Sequence, residues 1–256
     1  MRNMGICGML NTVKYDGPGD VPLLIAHGLF GSARNWNVIA KRLSENRPVI
    51  TVDMRNHGTS PWFDTQSYFD MADDLAKVIG HSGPCDVMGH SMGGKAAMVL
   101  AVKHPELLRK LIVADIAPVT YGHTQMGPID AMRGVDLDVV TSRGDAIAQL
   151  TGLEAGVPEF LMQSLDLKEK RWRFNLDVLA ADMDKIIGFP ELDGTFDGPT
   201  LFLSGATSDY VQADHRPTIK ALFPAARFAK IPEAGHWLHA QKPREFEAAV
   251  AAFLAM

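Results

Sequence analysis

The chain has 256 residues, of which 46% are hydrophobic, so it can bury a sizeable core as one unit. Its formal net charge is -5 and the sequence has no long basic run, which argues against a nucleic-acid partner. Two cysteines, Cys7 and Cys85, are too few for a disulfide scaffold, and neither a signal peptide nor a membrane-spanning stretch is evident. We therefore expect a protein of the reducing cytoplasm without a membrane partner.

Short apolar runs alternate with amphipathic stretches along most of the chain. This alternation predicts an α/β fold in which helices connect the strands of a mostly parallel sheet. In chain order we predict strands over 10–15 and 22–26, a helix over 36–44, a strand over 48–52, a helix over 67–79, a strand over 85–88, a helix over 93–104 and a strand over 110–114. After an interruption follow a strand over 200–204, a helix over 215–223, a strand over 226–231 and a helix over 243–254.

The alternation fails between residues 118 and 199, where the sequence shows helix-like stretches over 136–150, 158–165 and 172–187 and no clear strand. We therefore expect a core formed by 1–117 and 200–256, with 118–199 as a helical insertion in the same domain. A helical cap over the carboxyl edge of the sheet would create an apolar, water-poor pocket.

The segment Gly89-His90-Ser91-Met92-Gly93 lies between a predicted strand and a predicted helix. Glycines at this spacing allow a sharp strand-to-helix turn on which the serine is held in an unfavourable backbone conformation. Such a turn exposes the hydroxyl, so Ser91 is the predicted nucleophile. The backbone N–H of Met92 begins the helix and can stabilise a developing oxyanion.

The strand over 22–26 leads directly into His27-Gly28-Leu29-Phe30-Gly31-Ser32. A loop in this place can offer a second backbone N–H, which we assign to Leu29, opposite that of Met92. We expect His27 to brace this loop through hydrogen bonds. Phe30, in the same loop, is a candidate for substrate contact.

A serine hydroxyl needs a base within hydrogen-bond reach before it becomes a good nucleophile. His236 follows the last predicted strand in Glu233-Ala234-Gly235-His236-Trp237, where Gly235 loosens the loop. His239 is the competing candidate, but the position of Gly235 favours His236. Two acids, Asp115 and Asp209, follow strands between serine and histidine in the chain, so the order serine, aspartate, histidine is respected.

Taken together, these motifs resemble the α/β-hydrolase superfamily and, within it, the YbfF-type bacterial esterases and the related ABHD-type hydrolases. The resemblance rests on the segments 27–32, 53–60, 89–95, 171–176 and 235–237, which extend over nearly the whole chain. It implies an α/β-hydrolase fold with a helical cap.

The resemblance also bears on the acid. In most members the acid stands three residues beyond a glycine after the late strand, a position that Ser208 occupies here, one residue before Asp209. The YbfF-type pattern instead places the acid at the position matching Asp115 and a serine at the position matching Ser208. The resemblance therefore implies Asp115 as the acid and Ser208 as an auxiliary hydrogen-bonding residue.

The predicted activity is that of a serine hydrolase, a carboxylesterase or thioesterase acting on a small acyl ester or thioester without a metal or other cofactor. Arg171, Trp172 and Arg173 in the insertion are candidates for binding an anionic group, although the same pattern suits a helix with solvated arginines. A cofactor-free haloperoxidase or a carbon–carbon bond hydrolase would use the same three residues. A ligand-binding receptor on this fold is the alternative from another class.

Overall fold

The computed structural model describes residues 9–80 and 83–256. The strands in this part of the chain are β1 (Thr12–Tyr15), β2 (Leu23–Ala26), β3 (Val49–Val52), β4 (Cys85–His90), β5 (Leu108–Ala114), β6 (Leu165–Asp166), β7 (Arg171–Trp172), β8 (Thr200–Gly205) and β9 (Ala226–Ile231). The helices are α1 (Asn37–Leu43), α2 (Tyr68–Gly80), α3 (Met92–Lys103), α4 (Met126–Gly134), α5 (Arg143–Gln149), α6 (Val157–Leu161), α7 (Leu176–Ala181), α8 (Met183–Ile187), α9 (Arg216–Leu222), α10 (Leu238–Gln241) and α11 (Pro243–Leu254).

Seven of the described strands form one sheet in the order β1-β3-β2-β4-β5-β8-β9, and β6 pairs with β7 separately. β1 runs antiparallel to β3, and the other pairings in the large sheet are parallel. The predicted mostly parallel sheet is therefore confirmed. Because parallel strands share one direction, the carboxyl ends of β2, β4, β5, β8 and β9 lie at the same edge, where ligands bind in open α/β sheets.

Helices cover both faces of this sheet, and β2, β3, β4 and β8 are accordingly buried along their whole length. On one face, α2 and α3 contribute Leu75 and Met98 to the core. On the other face, α1 and α11 contribute Ile39 and Phe246. The apolar positions of α2 recur three and four residues apart, which is why this helix buries a single stripe: Tyr68, Met71, Ala72, Leu75, Val78 and Ile79.

The insertion between β5 and β8 differs from its prediction. It contains a short antiparallel hairpin in which Leu165 faces Trp172 and Asp166 faces Arg171, so the expectation of no strand there is wrong. The helix predicted over 172–187 is instead the strand β7 followed by the two short helices α7 and α8. Hydrophobic spacing cannot separate a two-residue strand from the first turn of a helix, because both place one apolar residue inward.

The helix predicted over 136–150 is also too long. In the structure α5 begins only at Arg143, where Ser142 and Asp145 form reciprocal cap hydrogen bonds of 3.2 and 2.9 Å. A serine and an acidic residue three positions later are a helix start signal, because each satisfies a backbone N–H left free at the first turn. This signal was present in the sequence. The structure also has the helix α4, for which no prediction was made.

The thiol of Cys85 is buried in β4, and this burial raises its pKa to about 12, as expected of an inert core cysteine. Cys7 lies outside the described residues. Across 9–80 and 83–256, every helix is too short or too polar to cross a lipid bilayer.

Candidate active site

Ser91 occupies the sharp turn between β4 and α3. Its φ of 52° and ψ of -121° lie outside the regions that residues with a side chain normally adopt. A Cβ atom on Gly89 would lie 2.2 Å from the Gly93 carbonyl oxygen, and one on Gly93 would lie 2.5 Å from the Ala26 carbonyl oxygen. The turn therefore requires glycine at both positions, as the motif predicts.

His236, in the loop after β9, connects Ser91 with Asp115. Its Nδ1 lies 2.8 Å from Asp115 Oδ2, and its Nε2 lies 3.1 Å from Ser91 Oγ. Because a carboxylate can only accept, the proton of the neutral imidazole ring lies on Nδ1. Nε2 therefore has the free lone pair needed to remove the proton of the Ser91 hydroxyl.

Asp115 follows β5, and its side chain is fully buried. Oδ1 accepts a hydrogen bond of 3.0 Å from the Gly205 backbone N–H. Oδ2 accepts from the Ser208 hydroxyl at 2.5 Å as well as from His236. These donors hold the carboxylate in the orientation that the imidazole needs. Ser208, predicted as an auxiliary hydrogen-bonding residue, bonds to Asp115.

From the residues alone Asp115 and Asp209 are alternatives for the partner of His236, and the family resemblance favours Asp115. Asp209 is exposed to solvent, and its backbone carbonyl accepts a hydrogen bond of 3.1 Å from Gln212. The structure therefore brings Asp115, and not Asp209, to the imidazole.

Two buried histidines brace the loop over 27–32. The Nδ1–H group of His27 donates to the Gly28 carbonyl at 2.7 Å, and its Nε2 accepts from the Met54 N–H at 2.9 Å. His57 accepts from the Phe30 N–H at 3.3 Å through Nε2. The bracing role predicted for His27 is confirmed, and His57 has an equivalent one.

This bracing decides which backbone N–H groups remain available beside Ser91. The N–H of Phe30 is used by His57, whereas within the described residues those of Leu29 and Met92 donate to no protein acceptor. A Cβ on Gly28 would lie only 3.2 Å from Ser91 Cβ, so the loop runs directly past the serine. Leu29 and Met92 thus keep the free donors that an oxyanion site needs.

His90 and His239 lie behind the imidazole of His236. The Nε2–H group of His90 donates to the His236 carbonyl at 2.9 Å and so fixes its backbone. His239 stacks on Trp36 with ring centroids 4.4 Å apart, and its Nδ1 is buried without a partner. The structure therefore brings His236, and not the competing His239, to Ser91.

The buried histidines are expected to make the protein less stable in acid. Burial lowers the pKa values of His27 and His90, and it lowers those of His57 and His239 to about 3. An unfolded histidine titrates near 6.5, so between that pH and 3 the unfolded state binds more protons and stability falls as the pH falls. His57 and His239 should each lower the free energy of unfolding by about 1 kcal/mol at pH 5.5 relative to pH 7.5. Urea unfolding at the two pH values measures this loss.

A His239→Phe variant is the matched control, because phenylalanine keeps a ring against Trp36 and does not titrate. Its loss of stability between pH 7.5 and 5.5 should be smaller than that of the wild type by the contribution of one histidine. An equal loss in the two proteins would contradict the assignment of acid lability to these rings.

Lys95 joins the helix after Ser91 to two segments of the insertion, one at its start and one at the end of α8. It is buried, and its Nζ donates to the carbonyls of Val119, Ile187 and Gly188 at 2.9, 2.9 and 2.5 Å. Burial lowers its pKa to about 7. The three carbonyls satisfy the three protons of an ammonium group, so one side chain fixes the start of the insertion and the end of α8 to α3.

The predicted substrate-binding residues of the insertion lie in different surroundings. Arg171 is exposed, Arg173 pairs with Asp166 at 2.9 Å, and the buried Trp172 donates to the Met132 carbonyl at 2.9 Å. Phe30, in the loop over 27–32, is buried. The centroid of its ring lies 5.7 Å from that of the Phe174 ring. Their role in substrate binding stays a prediction.

Comparison with known proteins decides the family. The profile of the alpha/beta hydrolase family matches residues 23–249. The chain belongs to this family. The predicted fold class is thereby confirmed, and the relatives described next confirm the resemblance to YbfF-type and ABHD-type hydrolases.

Individual relatives of this alpha/beta hydrolase are similar over most of their length. The sn-1-specific diacylglycerol lipase ABHD11 of Danio rerio is 43% identical over 255 residues, covering 94% of this chain and 80% of the relative. Esterase YbfF of Escherichia coli is 38% identical over 227 residues, covering 87% and 88%. A solved marine microorganism esterase superposes with a TM-score of 0.90 at 38% identity, covering 96% of this chain and 99% of that one. These relatives support ester hydrolysis as the type of reaction.

Sequence reasoning missed two residues of this alpha/beta hydrolase that contact the site or its supports. Tyr210 stacks on His236, and Lys95 holds the insertion. A lysine in the apolar first half of α3 was a readable signal, since a buried charge needs partners. The only sequence signal for Tyr210 is its position two residues after Ser208.

Proposed function

We propose that this alpha/beta hydrolase cleaves carboxylic esters or acyl thioesters through an acyl-enzyme on Ser91. The observation that carries the proposal is the continuous hydrogen-bonded triad of Ser91, His236 and Asp115 at the carboxyl edge of the sheet. In such a catalytic triad the base activates the nucleophile and the acid orients the base.

In the first half-reaction His236 Nε2 takes the proton of Ser91 as Oγ attacks the carbonyl carbon of the substrate. The carbonyl oxygen gains a negative charge, which the N–H groups of Leu29 and Met92 stabilise. The imidazolium then donates its proton to the leaving alcohol or thiol, and the acyl group stays on Ser91. Asp115, held by Ser208, stabilises the imidazolium during this step.

In the second half-reaction His236 removes a proton from water, which attacks the acyl carbon. The second tetrahedral intermediate collapses, Ser91 recovers its proton from the imidazolium, and a carboxylic acid leaves. The sum is one ester or thioester and one water converted into one acid and one alcohol or thiol.

We further propose that residues 118–199 act as a cap over a core formed by 1–117 and 200–256. The insertion connects β5 to β8, and Asp115 and Ser208 follow those two strands. A cap fixed there by Lys95 would limit the entry of bulk water and shape the acyl pocket. The proposed substrate is a small-molecule ester or thioester. Because one relative is named as a diacylglycerol lipase, diacylglycerols should be assayed beside simple esters and acyl thioesters.

Labelling with a fluorophosphonate tests the acyl-enzyme. One probe molecule should attach to each protein molecule, and the label should map to the peptide that contains Ser91. Hydrolysis of p-nitrophenyl esters should fall in proportion to the fraction of protein that is labelled. A burst of one p-nitrophenol per protein should precede the steady state whenever deacylation is slower than acylation. Full ester hydrolysis by a protein that takes no label at Ser91 would contradict the proposal.

Arg171 and Arg173 are proposed to favour substrates with an anionic leaving group, since guanidinium groups pair well with phosphate. In Arg171→Ala and Arg173→Ala, kcat/KM for an acyl-CoA should fall roughly tenfold relative to a neutral ester of the same acyl chain. Arg133→Ala is the control, because Arg133 is a surface arginine of α4 paired with Asp177. An unchanged ratio in both test variants would leave these arginines as solvated side chains.

A further inference from the structure

Tyr210 covers one face of the His236 imidazole. The two ring centroids are 3.9 Å apart and the ring planes differ by 20°, so the rings are stacked. His90 also contacts the imidazole, with ring centroids 4.8 Å apart and planes tilted by 39°, and its Nε2–H group donates to the His236 carbonyl. Tyr210 is therefore the aromatic neighbour that meets the imidazole face to face.

Tyr210 is itself held at three points. Its backbone N–H donates to Ser208 Oγ at 3.3 Å, and its carbonyl accepts from the Tyr121 hydroxyl at 2.7 Å. Its own hydroxyl lies 2.9 Å from His123 Nε2. Tyr121 and His123 belong to the first segment of the insertion, so the ring is placed jointly by the core and the insertion before any substrate arrives.

The imidazole needs such a neighbour because its hydrogen bonds do not determine its plane. The bond from Nδ1 to Asp115 does not by itself fix the ring plane, and rotation of the ring about that contact would carry Nε2 away from Ser91 Oγ. A stacked ring of fixed position opposes this motion. The electron-rich face of a phenol also favours the imidazolium that forms during acyl transfer.

We propose that Tyr210 is a positioning residue for the hydrolysis, acting through His236. The aromatic ring carries the effect, and the Tyr210 hydroxyl serves only to hold that ring. This inference rests on the proposed function, in which His236 is the base that activates Ser91.

The test compares Tyr210→Phe, which keeps the stacked ring, with Tyr210→Leu and Tyr210→Met, which remove it. The second-order rate constant of fluorophosphonate labelling reports the reactivity of Ser91 directly. We expect labelling and kcat to fall about 10- to 100-fold in the leucine and methionine variants, with KM within about twofold, because a displaced base slows the chemical step more than binding. Tyr210→Phe should stay within about threefold of the wild type. Thermal unfolding identifies which non-aromatic variant is folded and suited to the comparison.

Three outcomes would overturn the inference: an unchanged labelling rate in the folded non-aromatic variants, a loss in Tyr210→Phe equal to theirs, or a rise in KM at constant kcat. The failure of the proposed function looks different, since the wild type would then take no label at Ser91. Wild-type labelling at Ser91 therefore precedes the comparison and separates the two failures.

Discussion

Replacing Ser91 with alanine is expected to abolish ester hydrolysis while the protein stays folded. The Ser91 hydroxyl bonds to His236 Nε2, and its loss removes the oxygen that is proposed to carry the acyl group. Loss of the nucleophile of a catalytic triad lowers kcat on the order of 10⁶-fold. The rate acceleration that remains comes from the oxyanion site and from substrate binding. Alanine keeps the Cβ and tolerates the same backbone angles as serine, so the melting temperature should stay within a few degrees.

Ser208→Ala is the matched control for that variant. Ser208 also bonds to a member of the triad, but this member is Asp115, and the bond lies away from the reacting oxygen of Ser91. Its alanine variant should keep measurable turnover and full labelling by a fluorophosphonate at Ser91. Turnover by a folded Ser91→Ala protein at the level of Ser208→Ala would contradict the assignment of the nucleophile.

Replacing Asp115 with asparagine is expected to lower kcat on the order of 10⁴-fold. Oδ1 of Asp115 accepts from the Gly205 N–H, and Oδ2 accepts from both Ser208 and His236. If the amide oxygen of asparagine keeps the bond to Gly205, its NH₂ group must face His236 Nδ1. That contact requires an unprotonated Nδ1, which moves the proton to Nε2 and leaves no lone pair to receive the proton of Ser91.

Asp209→Asn makes the same chemical change at the carboxylate that the sequence left as an alternative. Asp209 is exposed, so its variant should stay within about tenfold of wild-type kcat. The measurement is steady-state hydrolysis of one p-nitrophenyl ester by both variants after their folding has been compared by circular dichroism. The reverse order, with Asp209→Asn the more damaging change, would reject Asp115 as the acid.

The insertion shows where sequence patterns stop being informative. In the sheet, each strand is a run of four to seven residues between helices of regular spacing, and the predicted positions agree with β1 to β5, β8 and β9. In the insertion the elements are shorter, and the hairpin of β6 and β7 has two residues in each strand. Its pairing is stabilised by contacts such as that of Trp172 with the Met132 carbonyl, 40 positions away in the chain. No local period encodes a contact of that kind.

The sequence by itself determined the turn at Ser91, the loop at Leu29 and the place of His236 after a strand, because each follows from local chemistry. Gly89 and Gly93 are needed wherever a chain reverses so sharply, and parallel strands bring their carboxyl ends to one edge whatever the details of packing. Only the tertiary structure decided between Asp115 and Asp209, placed Tyr210 on His236 and gave Lys95 its three carbonyls. These choices depend on contacts between residues far apart in the chain, such as Asp115 and His236, which are separated by 121 positions. At hydrogen-bond distance, a shift of one position along the chain redirects a side chain completely.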